Sequence, residues 1–444
     1  MPPKTIEIRW PNLGVVRRTA NRVGGRQEAY PTPWAMNVRL EDSLTNRLRG
    51  GSFTGQASAD FTTDVGTSAT TFNATLHGFV DGLPVQLTTT DTLPADLETA
   101  TTYYVVNATL STFQLAESYG GTAVTFSDDG TGTHTASPIF AKINPVYRDR
   151  AITFSENAIT AARQGDSTDT DLDADVSDVA RPILFQCAEA GSTGDTVVAV
   201  APHKDSYLVC FTATETWVLS GDPATGSMRR VSDHVGILGA SAWCVNHDTI
   251  YFMSAHGLYR MQADGSRLEP VSEDRVPEDL TGISDSDCIL NYYHPDRGVY
   301  IHLTASPSWF YDTAREGFWP FYTTSGDSHV LFGPLRLGTV DRFGLIQTLH
   351  GIIASESSSS VTWAIVPGDT AEEAAENGKA AITASLAGSS YSAYVKATGT
   401  WTAGRSQTSR PRVEAMWACL WLSSTGSWAF EGATMNLLPS GGWR

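Results

Sequence analysis

The chain has 444 residues and a formal net charge of −18, from 48 acidic against 30 basic side chains, with 41% apolar and 10% aromatic content. A chain this apolar has a core to bury and is not disordered. A chain this acidic does not grip nucleic acid by neutralising phosphates, which takes clustered Lys and Arg. No apolar run reaches the roughly 18 residues of a membrane-crossing helix. The opening MPPKTIEIRW lacks the apolar segment of a secretory signal, so assembly in the cytoplasm is expected.

Residues 5–10 (TIEIRW) alternate apolar and polar and predict a strand, with Ile6–Arg9 the candidate to pair with a C-terminal strand. An Arg-rich, proline-punctuated segment follows. Arg17, Arg18, Arg22, Arg26, Arg39, Arg47 and Arg49 make it the basic region of an acidic chain. A solvated face is the plain reading. The sharper one is a contact with an acidic neighbouring subunit or with nucleic acid, and Arg17, Arg18, Arg22, Arg26, Arg47 and Arg49 are its candidates.

From Phe53 to Ser137 the composition shifts to Thr, Ser, Asp and Gly, with His77 the sole Lys, Arg or His before His134. Short strands are predicted at Thr71–Leu76, Pro84–Thr88, Thr102–Val106, Thr112–Leu115 and Val124–Phe126, so this reads as a small β-domain inserted into the main fold. Its SDDGTGT (127–133) is a turn with glycines at the tight positions. The phrase GLPVQLTTTDTLPADLETATTYYVVNATLSTFQLAE (82–117) resembles a module found repeatedly in structural proteins of tailed-phage virions, because LP, YYVVN and FQLA keep their spacing together.

The main fold resumes near Pro138. The stretch 164–179 carries Asp166, Asp169, Asp171, Asp173, Asp175 and Asp178. A calcium loop of the EF-hand kind wants Gly at its sixth position and Glu at its twelfth. Counting from Asp169 those positions hold Ala174 and Ala180, so a solvated acidic loop is preferred and no metal is assigned.

Between Ser206 and Leu280 short apolar runs end in Gly or Asp turns and restart. Strands are expected at Leu208–Phe211, Thr216–Leu219, 228–232, 241–245, 249–253 and 257–261, with no helical spacing in the window. An aromatic strand followed by a polar turn recurs at Trp217, Tyr259, Tyr311 and Trp363, in steps of 42, 52 and 52 residues. A period of about 40–50 residues holding about four strands is that of a propeller blade. The fold class expected is therefore all-β, a β-propeller of four-stranded antiparallel blades with a small inserted β-domain; a large β-sandwich is the alternative. Thr370–Lys379 reads as a short amphipathic helix decorating a loop, and 413–422 as a fully buried strand.

Signals for chemistry are sparse. Cys187, Cys210, Cys244, Cys288 and Cys419 are scattered singly and read as reduced core thiols. His203, His234, His247, His256, His294, His302, His329 and His350 show no metal-ligand spacing and read as turn or surface residues. Glu215, Asp233, Asp248, Glu273, Asp274, Asp312 and Glu316 could converge in a channel, as a glycosidase's two carboxylates must, but their spacing does not require it. The twelve Trp residues could serve as sugar platforms, yet their recurrence at blade period favours core packing.

ETWVLSGDP (215–223), HVGILGASAWCVNHDTIYFMSAHGLYRM (234–261), PVSEDRVPEDL (270–280) and FYDTAREGFWP (310–320) occur in the order seen in tail β-propeller proteins of short-tailed bacteriophages. WPNLGVVRRT and YPTPWAMNVRLEDSLTNRLRGGS resemble the start of such proteins. The resemblance covers most of 1–52 and 180–320 and implies a hub (stopper) or nozzle component, with nozzle favoured because the inserted module suits an exposed outer surface. It implies a homo-hexamer below the portal and adaptor that continues the DNA conduit and retains and releases the genome. The implied partners are the adaptor or other tail proteins, tail fibres, and double-stranded DNA in transit. No enzyme activity and no cofactor are expected, and the location implied is the virion tail. The domain reading is 1–52 as closing strand and Arg-rich arm, 53–137 as inserted domain and 138–444 as the rest of the propeller. A host-glycan-binding propeller and a carbohydrate-active propeller enzyme are the alternatives.

Overall fold

The computed structural model describes residues 4–8, 34–36, 38–42, 48–52 and, from 59 to 442, all but 75–76, 78, 80, 82, 100, 110, 119–120, 139–144, 168, 171, 173–176, 190–193, 295, 305–306, 322–326, 340–341, 355–356, 358 and 403. Among these the chain is all-β, with one 16-residue helix, Ala371–Leu386, and a four-residue one, Pro277–Leu280. The latter lies in the window where no helix was expected. The chain divides into two compact units, Phe140–Ser308 with Asp312–Ala314, and the remainder.

The unit around Phe140–Ser308 is built of propeller-type blades, each a four-stranded antiparallel meander in chain order. The first holds Val146–Tyr147, Arg150–Ser155, Ala158–Ala161 and Ile183–Gln186. The second holds Val197–His203, Tyr207–Thr212, Thr216–Ser220 and Ser227–Ser232. The third holds Trp243–Asn246, Thr249–Ser254, Gly257–Met261 and Leu268–Pro270. Ile289–Tyr293, Gly298–His302, Ser308–Asp312 and Gly317–Phe321 form a fourth sheet, through whose last strands the division between units passes. Tight turns impose this up-and-down order. Lys204, His247 and Arg297 sit at φ of 51, 48 and 51° in the hairpins joining first to second strands.

Burial falls outward across a blade. Tyr207–Thr212 is buried at every position, whereas Ser227–Ser232 has no buried residue. One face of the first blade (Ile152, Ile159, Ala161) packs with Val200, Leu208, Cys210 and Trp217 of the second in a shared core. Trp217, Tyr259 and Tyr311 all lie on third strands, as the repeat predicts. Trp363 does not: it belongs to a five-stranded sheet ordered Trp34–Met36, Ser328–Arg336, Trp417–Ser424, Val361–Gly368 and Ala397–Trp401. Local spacing placed its strand, but pairing with Gly399 and Leu422, 36 and 59 positions away, decided its sheet.

In the remaining unit that sheet is the middle of three layers. Leu331, Ala364 and Trp421, cross-strand neighbours on one face, bury against Ala374, Ala381 and Ile382 of the helix. On the other face Phe332 meets Phe430 of a seven-stranded sheet, ring centroids 5.1 Å apart. Covering both faces is why Trp417–Ser424 reads as an unbroken apolar run. The helix is therefore a packing layer and not a loop decoration. Thr370 caps it by accepting the Glu373 N–H, and Gly378 lets it approach so closely that a Cβ there would lie 2.5 Å from Leu331. In the seven-stranded sheet the long strand Ala429–Gly442 pairs with Arg342–Ile353 on one edge. On its other edge it takes Leu48–Ser52 and, antiparallel, Lys4–Ile8, with Ile6 opposite Met435.

Residues 59–138 form a closed six-stranded barrel: Ala59–Asp64, Ser68–Asn73, Thr112–Ala116, Thr102–Val106, Pro84–Thr89 and His134–Pro138. Phe61, Phe72 and Phe113 fill it, Phe72 stacked on Phe113 at 5.3 Å. Val124–Phe126 is not a strand; the barrel is closed instead by the segments at its two chain ends, which the sequence reading did not mark.

Candidate functional site

Arg17, Arg18, Arg22, Arg26 and Arg47 lie outside the described residues, as do the side chains of Arg39 and Arg49. Of Arg49 only the strand register is described, opposite Glu41. The candidate site is therefore built from the blades.

Of the acidic loop, Asp171, Asp173 and Asp175 lie outside the described residues, while Asp169 and Asp178 are held by an arginine of their own blade. Arg163 pairs with Asp178 at 2.5 Å and Asp169 at 3.7 Å. Arg150 is fully buried. Its Nη1 donates to the carbonyls of Ala162, Ala180 and Arg181 (2.9, 3.1 and 2.7 Å) and its Nη2 to that of Val179 at 2.7 Å. Asp222, in the turn after the second blade's third strand, lies 3.5 Å from Nη2 and supplies the counter-charge. Among the described residues no group of three or more His, Cys, Asp or Glu could hold a metal ion.

The carboxylates singled out from the sequence are distributed over separate turns. Glu215 accepts from Trp217 Nε1 at 2.8 Å and pairs with Arg230 at 3.0 Å, which also holds Glu189 at 2.7 Å. Asp233 bonds His234, which holds its carboxyl below the usual range. Asp312 is buried and caps the N–H of Ala314. Glu316 sits in a hairpin at φ 54°, and Glu273 and Asp274 are exposed. An open groove of about 400 Å³ on the third blade is lined by Arg260, Gln262, Asp264 and Glu269 among others. Its charges are mutually satisfied: hydrogen bonds from Arg260 and Gln262 pull Glu269 down to about 2. Among the described residues eight tryptophans are buried (Trp217, Trp243, Trp309, Trp319, Trp363, Trp401, Trp421, Trp428), so these pack and offer no platform. His203 and His329 are buried as well, against the expectation of turn or surface histidines. Stacking explains both: His203 lies 4.5 Å from the Tyr207 ring and His329 5.8 Å from Trp421. All five thiols are free and buried.

One feature repeats from blade to blade that the sequence reading passed over. The hairpin joining first to second strands carries a basic residue followed by Asp: Arg148-Asp149, Lys204-Asp205 and His247-Asp248. Each reaches the next blade. Arg148 donates its backbone N–H to the Asp205 carboxylate at 3.1 Å and its Nε–H to the Asp205 carbonyl at 2.9 Å. Lys204 Nζ then bonds the Asp248 carboxylate, and His203 Nε2 donates to the Asp248 carbonyl at 2.9 Å. Lys204 accordingly holds Asp248 below its ordinary range. At the third step the His247 ring stands edge-on to His294 at 5.4 Å. This ladder links consecutive blades along one rim. Its signal was present as a basic–Asp dipeptide at blade period, but among polar turns and not among the aromatic strands.

No known protein family and no curated protein matches the chain. Among solved structures it is similar to the endosialidase of phage phi92, at 10% identity over 67% of this chain and 53% of that one, TM-score 0.22. It is also similar to PorZ, a bacterial surface component of the type-IX secretion system of Porphyromonas gingivalis, at 13% identity over 62% and 36%, TM-score 0.23. The chain spans about half the length of the endosialidase chain. Similarity at these TM-scores defines no common superposition. No described helix is long and apolar enough to cross a membrane.

Proposed function

We propose that this protein is a structural component of a short-tailed phage tail, a nozzle in preference to a hub, whose copies form a hexameric ring that continues the DNA conduit and retains and releases the genome. The observation that carries the reading is where the tail-propeller phrases fall. Residues 215–223, 234–261, 270–280 and 310–320 occupy successive blades and the crossings between them, so the resemblance follows the repeat and not one local turn. The charge supports it. A net −18 repels phosphates, so DNA passes such a wall without being held. The segment 53–137 has no Lys or Arg at all, which suits a soluble outward module. In this reading 1–52 is an arm whose arginines knit neighbouring subunits, 53–137 is an inserted decoration, 138–321 supplies the four-stranded blades with the layered sheets of 328–442 completing the subunit, and there is no catalytic step. The partners are further copies, the adaptor and other tail proteins, and DNA in transit. Native mass spectrometry with cryo-EM class averages of the purified chain tests this: a sixfold ring with an axial opening is expected. A monomer or trimer that binds glycans on an array, or shortens a polysaccharide, overturns it.

A further inference from the structure

Resting on the ring reading, we infer that the uncovered face of the first blade is the surface on which a second copy of this chain docks, with the Arg297 hairpin of one copy meeting Asp149 of the next. Among the described residues five large apolar side chains are exposed, and four of them, Val146 (62%), Val179 (67%), Leu172 and Leu184 (both 48%), belong to this blade or its acidic loop. The register puts Val146 and Leu184 on the same face. Val146 opposes Ala151, and Leu184 follows Thr160 and Thr153 across the sheet. Ala151, Thr153 and Thr160 between them are uncharged, in a chain of net charge −18. The opposite face is spent on the second blade. This face carries two large exposed apolar side chains among small and hydroxylated ones and no charge, and exposed apolar residues grouped on one face mark an interaction site.

The ladder of hairpins identifies the occupant. Asp205 and Asp248 each receive the preceding blade's basic hairpin. Asp149 holds the same place in the first hairpin and is exposed, with no side-chain partner among the described residues. At the other end of the series Arg297 is exposed in the fourth sheet's first hairpin, its side chain likewise unpartnered. An open acceptor at one end and an open donor at the other are complementary, and joining them between copies makes a head-to-tail contact of the kind that closes rings.

The test is native mass photometry of the full chain across a concentration series, with circular dichroism as the check on folding. Val146→Glu with Leu184→Glu is expected to leave the spectrum unchanged and to raise the half-assembly concentration by tenfold or more, about the effect of one lost favourable contact. Asp149→Arg alone is expected to weaken assembly, and adding Arg297→Asp to restore it. Because both hairpin residues are exposed, that pair keeps its meaning even if the double glutamate variant misfolds. Rings that form at wild-type concentration in the double glutamate variant overturn the docking face and leave the ring reading standing. Failure of Arg297→Asp to rescue Asp149→Arg overturns the pairing of the hairpins. A wild-type chain that stays monomeric at every concentration overturns the ring reading itself.

Discussion

Replacing Arg150 with Met keeps the aliphatic stem of a fully buried side chain and deletes its charged head. The carbonyls of Val179 and Arg181 then lose donors at 2.7 Å in part-buried bonds, and that of Ala162 one at 2.9 Å in a buried bond. Asp222 loses its counter-charge as well. A bond to a charged donor contributes about 1.5–3 kcal/mol, and removing one partner of a buried charged network costs about 3–5 kcal/mol. For a unit of this size each kcal/mol moves the midpoint of thermal unfolding by roughly 2–4 °C, so Arg150→Met is expected to lower it by about 6–20 °C. Hydrogen exchange localises the effect: amides of 163–181 should lose protection first, because Arg150 is what ties that loop to the strand Ala158–Ala161 and to the next blade. Arg150→Lys should fall between the two, since an ammonium lacks the planar fork that reaches several carbonyls at once. A midpoint for Arg150→Met within about 2 °C of wild type, with unchanged exchange in 163–181, refutes the reasoning.

Burial holds His302 and His329 down to about 4, from an ordinary 6.5. The unfolded chain therefore binds these protons at higher pH than the folded one. Their neutral-state stability is complete above about 6.5 and is lost as pH falls toward 4. The urea midpoint should decline over that window, and His329→Gln, which keeps an acceptor for Trp421 Nε1, should flatten the slope; an unchanged slope rejects the assignment. Gly239 lies in the crossing between the second and third blades, where an added Cβ would stand 1.9 Å from the Ser286 carbonyl oxygen. Gly239→Ala is expected to cost about 1–3 kcal/mol through forced backbone movement, read as a lower denaturant midpoint, and a wild-type midpoint contradicts it.

The amino-acid sequence by itself determined the local structure. Alternating or fully apolar runs of four to six residues, punctuated by Gly and Asp, located Thr216–Ser220, Thr249–Ser254 and Gly257–Met261 within a residue or two, because a strand's period and its turns are short-range properties. The acidic balance of the chain was equally plain. Tertiary structure alone decided which strands share a sheet. Trp363 keeps the aromatic pattern of a blade yet pairs with Gly399 and Leu422 in a different sheet, and the barrel closes on His134 opposite Phe61. It also decided that Arg150, one arginine among many in the sequence, is buried, and that the hairpin dipeptides form a ladder. The dipeptides of the ladder recur at blade period, but most partners brought together across tens to more than 400 positions leave no periodic trace in the chain, since what selects them is the packing of faces and the need to satisfy each buried polar group.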